Sequence, residues 1–181
     1  MNLSSVKSGF LKFFSINRDE LSGVLASLAE SRRAKRTVIL FVFLSFLGFI
    51  TAFYLTVEHY RGLPVNCIVL SGCDKVLSSS YSEVFGIPVA LFGVIYYFFV
   101  FSTSLFFLSG HSKKFLIAAL LATPVGFLAS VWFVILQLFI IKAICFYCMV
   151  SAFLSTTLFL AASFIFFKLK RKAKENSHSV A

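Results

Sequence analysis

The 181-residue sequence has little charge, and long stretches of it have none. Only 13% of its residues are charged, whereas soluble domains carry about 25%, and Asp and Glu together number seven. Hydrophobic residues make up 59% of the chain, and its mean hydropathy is +0.94. Such a composition leaves too few polar residues to cover a soluble domain. We therefore expect an integral membrane protein.

The sequence also lacks the motifs of several enzyme classes. Its apolar tracts contain no phosphate-binding loop, no HExxH motif and no pair of carboxylates, so nucleotide chemistry and metalloprotease chemistry have no support. The net charge of +10 is high enough for nucleic-acid binding. The basic residues, however, concentrate in the two tails and one short turn, where they set membrane topology. We expect no nucleic-acid partner.

Four uncharged tracts predict four transmembrane helices. About 20 helical residues cross a bilayer core, and each tract is longer than that. In lipid, helices satisfy their own backbone hydrogen bonds, and tracts this long and continuous do not resemble barrel strands. The turns after the second and third tracts are short, which makes those helices antiparallel neighbours. The sequence thus predicts an all-α membrane protein, a four-helix bundle, with spans in residues 37–57, 84–110, 115–141 and 143–167.

The distribution of Lys and Arg predicts the orientation of the bundle. Most of the 17 basic residues lie in the tails and in the turn at residues 113–114, so the positive-inside rule places both termini in the cytoplasm. This gives a basic N-terminal segment (1–36), a membrane domain (37–167) and a basic tail (168–181). No cleaved signal peptide is expected. Apolar residues between positions 21 and 28 indicate either an amphipathic helix on the inner leaflet or a loosely ordered basic tail.

The long loop at residues 58–83 then lies outside the membrane. Its segment from Ser80 to Glu83 has the capping-box pattern that begins a helix. Gly86 and Pro88 follow, and such residues mark the boundary between one helix and the next. We therefore predict a short surface helix in this loop, followed by the second span from about Pro88.

All four cysteines fall on the outer side of this predicted bundle. Cys67 and Cys73 lie in the long loop, and Cys145 and Cys148 form a CxxC motif at the start of the last span. A helix N-terminus stabilises a thiolate, so a CxxC placed there suits redox cycling. The alternatives are a zinc site and purely structural disulfides. The spacing is poor for structural zinc, and a disulfide within CxxC closes too small a loop to stabilise much as a staple.

These residues resemble the vitamin K epoxide reductase (VKOR) family in its bacterial form. The resemblance rests on CIVLSGCDKVLSSSY at residues 67–81, FGIP at 85–88, LFG at 91–93 and the CxxC motif that opens the last span. It extends over about residues 38–167. The five-residue gap between the loop cysteines is the spacing of bacterial members.

The resemblance implies a quinone, ubiquinone or menaquinone, held near the outer end of the bundle. Cys148 would face the quinone as a thiolate with Cys145 as its partner, and Cys67 and Cys73 would form a shuttle pair. Ser79 matches a serine or threonine that shapes the quinone site; alternatively, it only helps to start the surface helix. Many bacterial members continue into a fused thioredoxin-like domain, whereas this sequence ends soon after the fourth span.

The resemblance therefore implies a thiol:quinone oxidoreductase of the bacterial inner membrane, with its active site on the periplasmic side. It would reoxidise a separate thioredoxin-fold, DsbA-like protein for disulfide formation. The alternative is a non-catalytic four-span scaffold or transport protein with two structural disulfides. That alternative predicts no quinone and tolerance of Cys145→Ala.

Overall fold

The computed structural model describes residues 32–61, 72–110 and 114–178. Four of its helices are long and apolar enough to cross a membrane, which confirms the predicted four-span bundle. Two short strands and a short helix lie between the first and second of them. In chain order the elements are α1 (Arg32–Arg61), α2 (Cys73–Leu77), β1 (Glu83–Val84), β2 (Ile87–Pro88), α3 (Val89–Leu108), α4 (Lys114–Ile135) with a π-helical continuation (Leu136–Ile141), and α5 (Phe146–His178).

The four long helices form a closed ring. Helix α1 packs on α3 and α5, and α4 packs on the same two helices from the other side. The pairs α3–α4 and α4–α5 are therefore neighbours, as their short connections predict. Large apolar side chains cover the outward faces of the ring. These are the faces that lipid would cover in a membrane.

The centre of the bundle is built around aromatic and aliphatic side chains from three helices. Phe41 of α1, Tyr97 and Val100 of α3, and Leu158 of α5 are all buried there. The ring of Tyr97 lies directly against Gly48, where a Cβ would overlap it. A small residue at this position allows α1 and α3 to approach closely, which is the usual basis of helix packing in lipid.

The loop between the first two spans differs from the sequence prediction in one respect. It does contain a short helix, but that helix is Cys73–Leu77 and not a helix begun at Ser80. The hydroxyl of Ser82 donates to the carbonyl of Ser79 at 2.8 Å and closes a turn instead of capping a helix. Glu83, predicted to complete the capping box, lies in strand β1.

A hairpin occupies the first residues of the uncharged tract 84–110, ahead of the second span. Strands β1 and β2 pair with Glu83 opposite Pro88. The turn residues Phe85 and Gly86 both have positive φ, 54° and 75°, as the tightest hairpin turns require. Helix α3 therefore begins directly after Pro88, which confirms the predicted start of the second span at about Pro88.

The ends of the chain are described only in part. The predicted amphipathic segment at residues 21–28 and the loop cysteine Cys67 lie outside the described residues. Helix α5 continues to His178, so the predicted basic tail is helical through most of its length.

Candidate functional site

The CxxC motif lies at the start of α5, on the side of the bundle that also carries α2. Cys145 is the residue immediately before the helix, and its carbonyl accepts a hydrogen bond from the N–H of Met149 at 3.1 Å. Cys145 is therefore the N-cap residue, and Cys148 lies one turn into the helix on the same face. Both thiols are free.

The surroundings of Cys145 favour its thiolate form. Its sulfur accepts hydrogen bonds from the Cys148 thiol and from the backbone N–H groups of Cys148 and Tyr147. The bond from the Cys148 thiol has the largest effect, and together these bonds outweigh burial and lower the pKa of Cys145 to about 7. The sequence resemblance predicted the thiolate at Cys148. In the structure these hydrogen bonds converge on Cys145.

Cys73 lies against this pair. It is the first residue of α2, is fully buried and is disulfide-bonded. It belongs to one buried cluster with Val76 and Cys145, against which Cys148 packs. The structure therefore brings three of the four predicted site cysteines together. The fourth, Cys67, lies outside the described residues.

The close approach of α2 to the CxxC motif depends on Gly72. A Cβ at this position would lie 2.6 Å from the carbonyl oxygen of Ile144 and 2.9 Å from its nitrogen. Ile144 directly precedes Cys145, and Gly72 directly precedes Cys73. The absence of a side chain at Gly72 thus lets the backbones beside the two cysteines touch. Gly72 was missed from the sequence, because a single Gly beside a cysteine is no signal by itself.

A cavity of about 520 Å³ lies within the bundle beside Cys148. Its volume falls in the usual range for small-molecule sites, which are concave and mostly apolar. Residues of every long helix and of the outer loop line it. Its walls include Ala52 of α1, Leu77 of α2, Phe92 and Tyr96 of α3, Phe133 of α4 and Cys148 of α5.

Three serines of the long helices also line the cavity, Ser130 of α4 and Ser151 and Ser155 of α5. Their hydroxyls contact groups of the protein. The hydroxyls of Ser130 and Ser155 lie 2.6 Å apart, and the hydroxyl of Ser151 lies 3.0 Å from that of Tyr97. Tyr97 also donates to the carbonyl of Ser151 at 2.8 Å. These serines therefore already have partners.

One buried polar group beside this cavity is left without a partner. The hydroxyl of Tyr96 is buried and has no hydrogen-bond partner among the described residues. Buried polar groups are nearly always paired, so an unpaired one needs a ligand or an explanation. Tyr96 was missed from the sequence, since a tyrosine in an aromatic-rich span gives no signal.

The cavity fits a quinone in the chemistry of its walls. A quinone ring is flat and apolar, with carbonyl oxygens that accept hydrogen bonds. The walls supply aromatic and aliphatic surface, and Cys148 supplies a thiol. The Tyr96 hydroxyl, buried beside the cavity against Gly126, has no other partner among the described residues. These residues therefore suit the cofactor that the sequence predicts.

Ser79 also lines this cavity, on the side of the outer loop. Its side chain is half-buried, and its hydroxyl donates to the carbonyl of Val76 at 2.7 Å. It thus closes the turn that follows α2 and does not start a helix. His59 of α1 lines the same cavity and pairs with Glu83 of the hairpin at 3.0 Å.

Gln137 is a further residue that was not singled out from the sequence. It is 2% exposed, lies in the π-helical turn, and its side-chain oxygen accepts a hydrogen bond from the N–H of Cys145 at 2.9 Å. A signal was present, because Gln137 is a polar residue within an uncharged apolar tract. Polar residues inside membrane spans are costly and are often functional.

Comparisons with known proteins agree with the resemblance found in the sequence. The model of the vitamin K epoxide reductase family matches residues 39–163. A curated relative, the thiol-disulfide oxidoreductase LTO1 of Arabidopsis thaliana, is 31% identical over 115 residues. The match covers 59% of this chain but only 30% of the relative, so most of the relative lies beyond it.

Proposed function

Because this chain belongs to the vitamin K epoxide reductase family, we propose that it is a quinone-dependent thiol oxidoreductase. It would reoxidise a separate thioredoxin-fold, DsbA-like protein on the periplasmic side of a bacterial inner membrane. The family match and the name of the relative support thiol oxidoreductase chemistry. That the electron acceptor is a quinone, that the partner is DsbA-like and that the reaction is periplasmic are the parts that we propose.

One observation carries the proposal. Cys148 lines an apolar cavity, while its CxxC partner Cys145 packs in one buried cluster with Cys73 of the outer loop. The CxxC motif therefore stands between a second redox cysteine and a space suited to a quinone. A purely structural disulfide would need neither neighbour.

The first half of the proposed reaction is disulfide exchange in the outer loop. The reduced partner attacks a Cys67–Cys73 disulfide, and we assign the attack to Cys67. A mixed disulfide forms, Cys73 leaves as a thiolate, and the second thiol of the partner then resolves the mixed disulfide. The partner leaves oxidised, having transferred two electrons to the loop pair. Such exchange needs an accessible disulfide and a good leaving thiolate.

The second half passes the two electrons inward. The Cys73 thiolate attacks Cys145 of an oxidised CxxC pair, and Cys148 leaves as the thiolate. Cys67 then attacks Cys73, which re-forms the loop disulfide and leaves Cys145 and Cys148 reduced. This is the state of the CxxC pair in the structure. The packing of Cys73 against Cys145 supports this order of steps.

A bound quinone would accept two electrons and two protons from the reduced pair. Tyr96 would hold a quinone carbonyl through its unpaired hydroxyl once the ring turns from Gly126 toward the cavity, and the aromatic walls would exclude water from the reacting sulfur. Cys148, which lines the cavity, would be the thiol that faces the quinone. Ser79 contributes to the outer wall of the same space. Oxidation of the pair restores the Cys145–Cys148 disulfide.

Quinone reduction by the purified protein tests the proposal. The protein in liposomes is mixed with a reduced thioredoxin-fold donor and a short-chain ubiquinone or menaquinone, and quinol formation is followed by ultraviolet absorbance. We expect turnover that disappears in Cys148→Ser and persists in Met149→Leu, a matched change at the adjacent position. Folded protein that shows no turnover with either quinone and several donors would overturn the proposal and favour the scaffold alternative.

A further inference from the structure

The short connection between the third and fourth spans is held by a single residue. The backbone carbonyl of Gln137 accepts the N–H groups of Lys142 and, at 3.2 Å, Ala143. Its side-chain oxygen accepts the N–H of Cys145 at 2.9 Å. Gln137 thus binds both ends of the connection: Lys142 and Ala143 where it begins, and Cys145 where it enters the CxxC motif.

The local backbone accounts for this arrangement. Residues Leu136–Ile141 form a π-helical turn, and Lys142 then adopts a left-handed conformation with φ 52°. The chain reverses there and returns past Gln137, so that the N–H of Cys145 meets the glutamine side chain. Turns of the π type are rare and frequently occur at functional sites.

The hydrogen bond between Gln137 and the Cys145 backbone matters because the Cys145 sulfur accepts hydrogen bonds at the start of α5. As the N-cap residue, Cys145 places its sulfur over the free N–H groups of Tyr147 and Cys148. Its own N–H is satisfied by Gln137, in a site that is fully buried. The side-chain amide of Gln137 therefore fixes the backbone of Cys145, and with it the position of the Cys145 sulfur.

We propose that Gln137 is a positioning residue that holds the Cys145 sulfur against the N-terminus of α5. Gln137 also lines the cavity beside Cys148, so one side chain supports the reactive pair from the cavity side. The importance of this positioning for turnover rests on the proposed function. The effect of Gln137 on the pKa of Cys145 is independent of the proposed function.

Among the described residues, few other groups near Cys145 titrate. On α5 these are Cys148 and Tyr147, and on α2 it is Cys73, which is held in a disulfide. The charged residues that lie close in sequence to these cysteines are exposed. They are Asp74 and Lys75, which follow Cys73, and Lys142, which precedes Cys145 by three positions. The hydrogen bonds that the Cys145 sulfur accepts, first from the Cys148 thiol and then from the backbone N–H groups of Cys148 and Tyr147, lower its pKa. They depend on the position of the sulfur, which is what Gln137 can control.

Titration of the pair tests this role without a quinone. Thiolate absorbance is recorded against pH in a Cys67→Ala/Cys73→Ala background, so that only Cys145 and Cys148 contribute. We expect the first thiol to titrate near pH 7 with Gln137 present. In Gln137→Met we expect the midpoint to rise by about one pH unit, because the Cys145 backbone loses its acceptor. This corresponds to about fivefold less thiolate at pH 7, because the thiolate fraction falls from about one half to about one tenth.

A second measurement is the reduction potential of the pair. A less stable thiolate makes the reduced form less favourable. Measured at a pH well above both midpoints, where the thiolate predominates with and without Gln137, a tenfold effect shifts the potential by about 30 mV to more negative values. The matched control is Thr123→Val on the same helix, which removes a buried hydroxyl bonded to the Leu120 carbonyl and not to the connection. It should leave both the midpoint and the potential unchanged.

The outcomes are distinguishable. If Gln137→Met does not fold, Gln137→Asn retains the amide but is one methylene shorter, and we expect it to shift the midpoint in the same direction. An unshifted midpoint in a folded Gln137 variant, or an equal shift in Thr123→Val, would overturn the inference. Failure of the quinone assay together with a shifted midpoint would overturn the proposed function and leave the role of Gln137 intact.

Discussion

Replacing Gly72 by alanine is the sharpest test of how the two cysteine pairs communicate. The added Cβ would lie 2.6 Å from the Ile144 carbonyl oxygen and 2.9 Å from its nitrogen. Ordinary contacts are about 3.5 Å or longer, and both obstructing atoms are backbone atoms. The two segments must therefore separate by about 1 Å, and Cys73, the next residue, must move with Gly72.

The expected consequence is slow exchange between Cys73 and Cys145. A displacement of about 1 Å can reduce the rate of a positioned reaction by about 100-fold, which corresponds to about 2.7 kcal/mol in the activation free energy. Gly72 has φ −95°, a conformation open to alanine, so the change acts through contact and not through backbone strain. We therefore expect little loss of stability in the membrane spans.

The assay measures the exchange contact directly. In a Cys67→Ser/Cys148→Ser background, Cys73 and Cys145 are the remaining cysteines, and the rate at which they form a disulfide under a mild oxidant is measured by mass spectrometry. Lys75→Ala, an exposed change on the same short helix, serves as the control. An unchanged rate in Gly72→Ala, or an equal loss in Lys75→Ala, would refute the reasoning.

Three further predictions concern the cavity, the thiol and the core. Tyr96→Phe should weaken binding of a short-chain quinone about fivefold by removing one donor, without lowering the thermal stability of the free protein; fluorescence quenching and a melting curve measure the two effects, and tighter binding would contradict the assignment. Because the pKa of Cys145 is lowered to about 7, its alkylation by iodoacetamide should rise tenfold per pH unit below that value and level off above it; a rise that continues well into the alkaline range would contradict the lowered pKa. Gly48→Ala should destabilise the bundle by about 1–3 kcal/mol, because its Cβ overlaps the Tyr97 ring; unfolding in detergent that matches the wild type would show that α1 and α3 can separate freely.

The membrane spans could be predicted because they depend on composition alone. An uncharged tract of sufficient length forms a helix in lipid whatever its neighbours are. The short outer elements depend on local hydrogen bonds instead. The Ser82 hydroxyl donates to the carbonyl of Ser79, and this bond closes a turn where the sequence pattern predicts the start of a helix. The adjacent positive-φ residues, Phe85 and Gly86, then fix a hairpin that the pattern at Ser80 does not indicate.

The candidate site was predictable at its cysteines and at Ser79, which lines the cavity, and not beyond them. The CxxC spacing and the position at a helix start follow from the sequence. The partners of these residues do not, because Gly72 meets Ile144 only after the outer loop folds back on the bundle. Gln137 reaches Cys145 only through a π-helical turn. The Tyr96 hydroxyl is left unpaired only when α3 packs against Gly126 of α4.

The central claim is that the CxxC pair delivers electrons to a quinone, and a single-turnover experiment tests it most directly. The reduced protein, free of any thiol donor and of oxygen, is mixed with one equivalent of a short-chain ubiquinone. We predict one quinol formed for each Cys145–Cys148 pair oxidised, with mass spectrometry locating the new disulfide at these two residues. Quinone that stays oxidised while both thiols remain free, in folded protein, would contradict the claim.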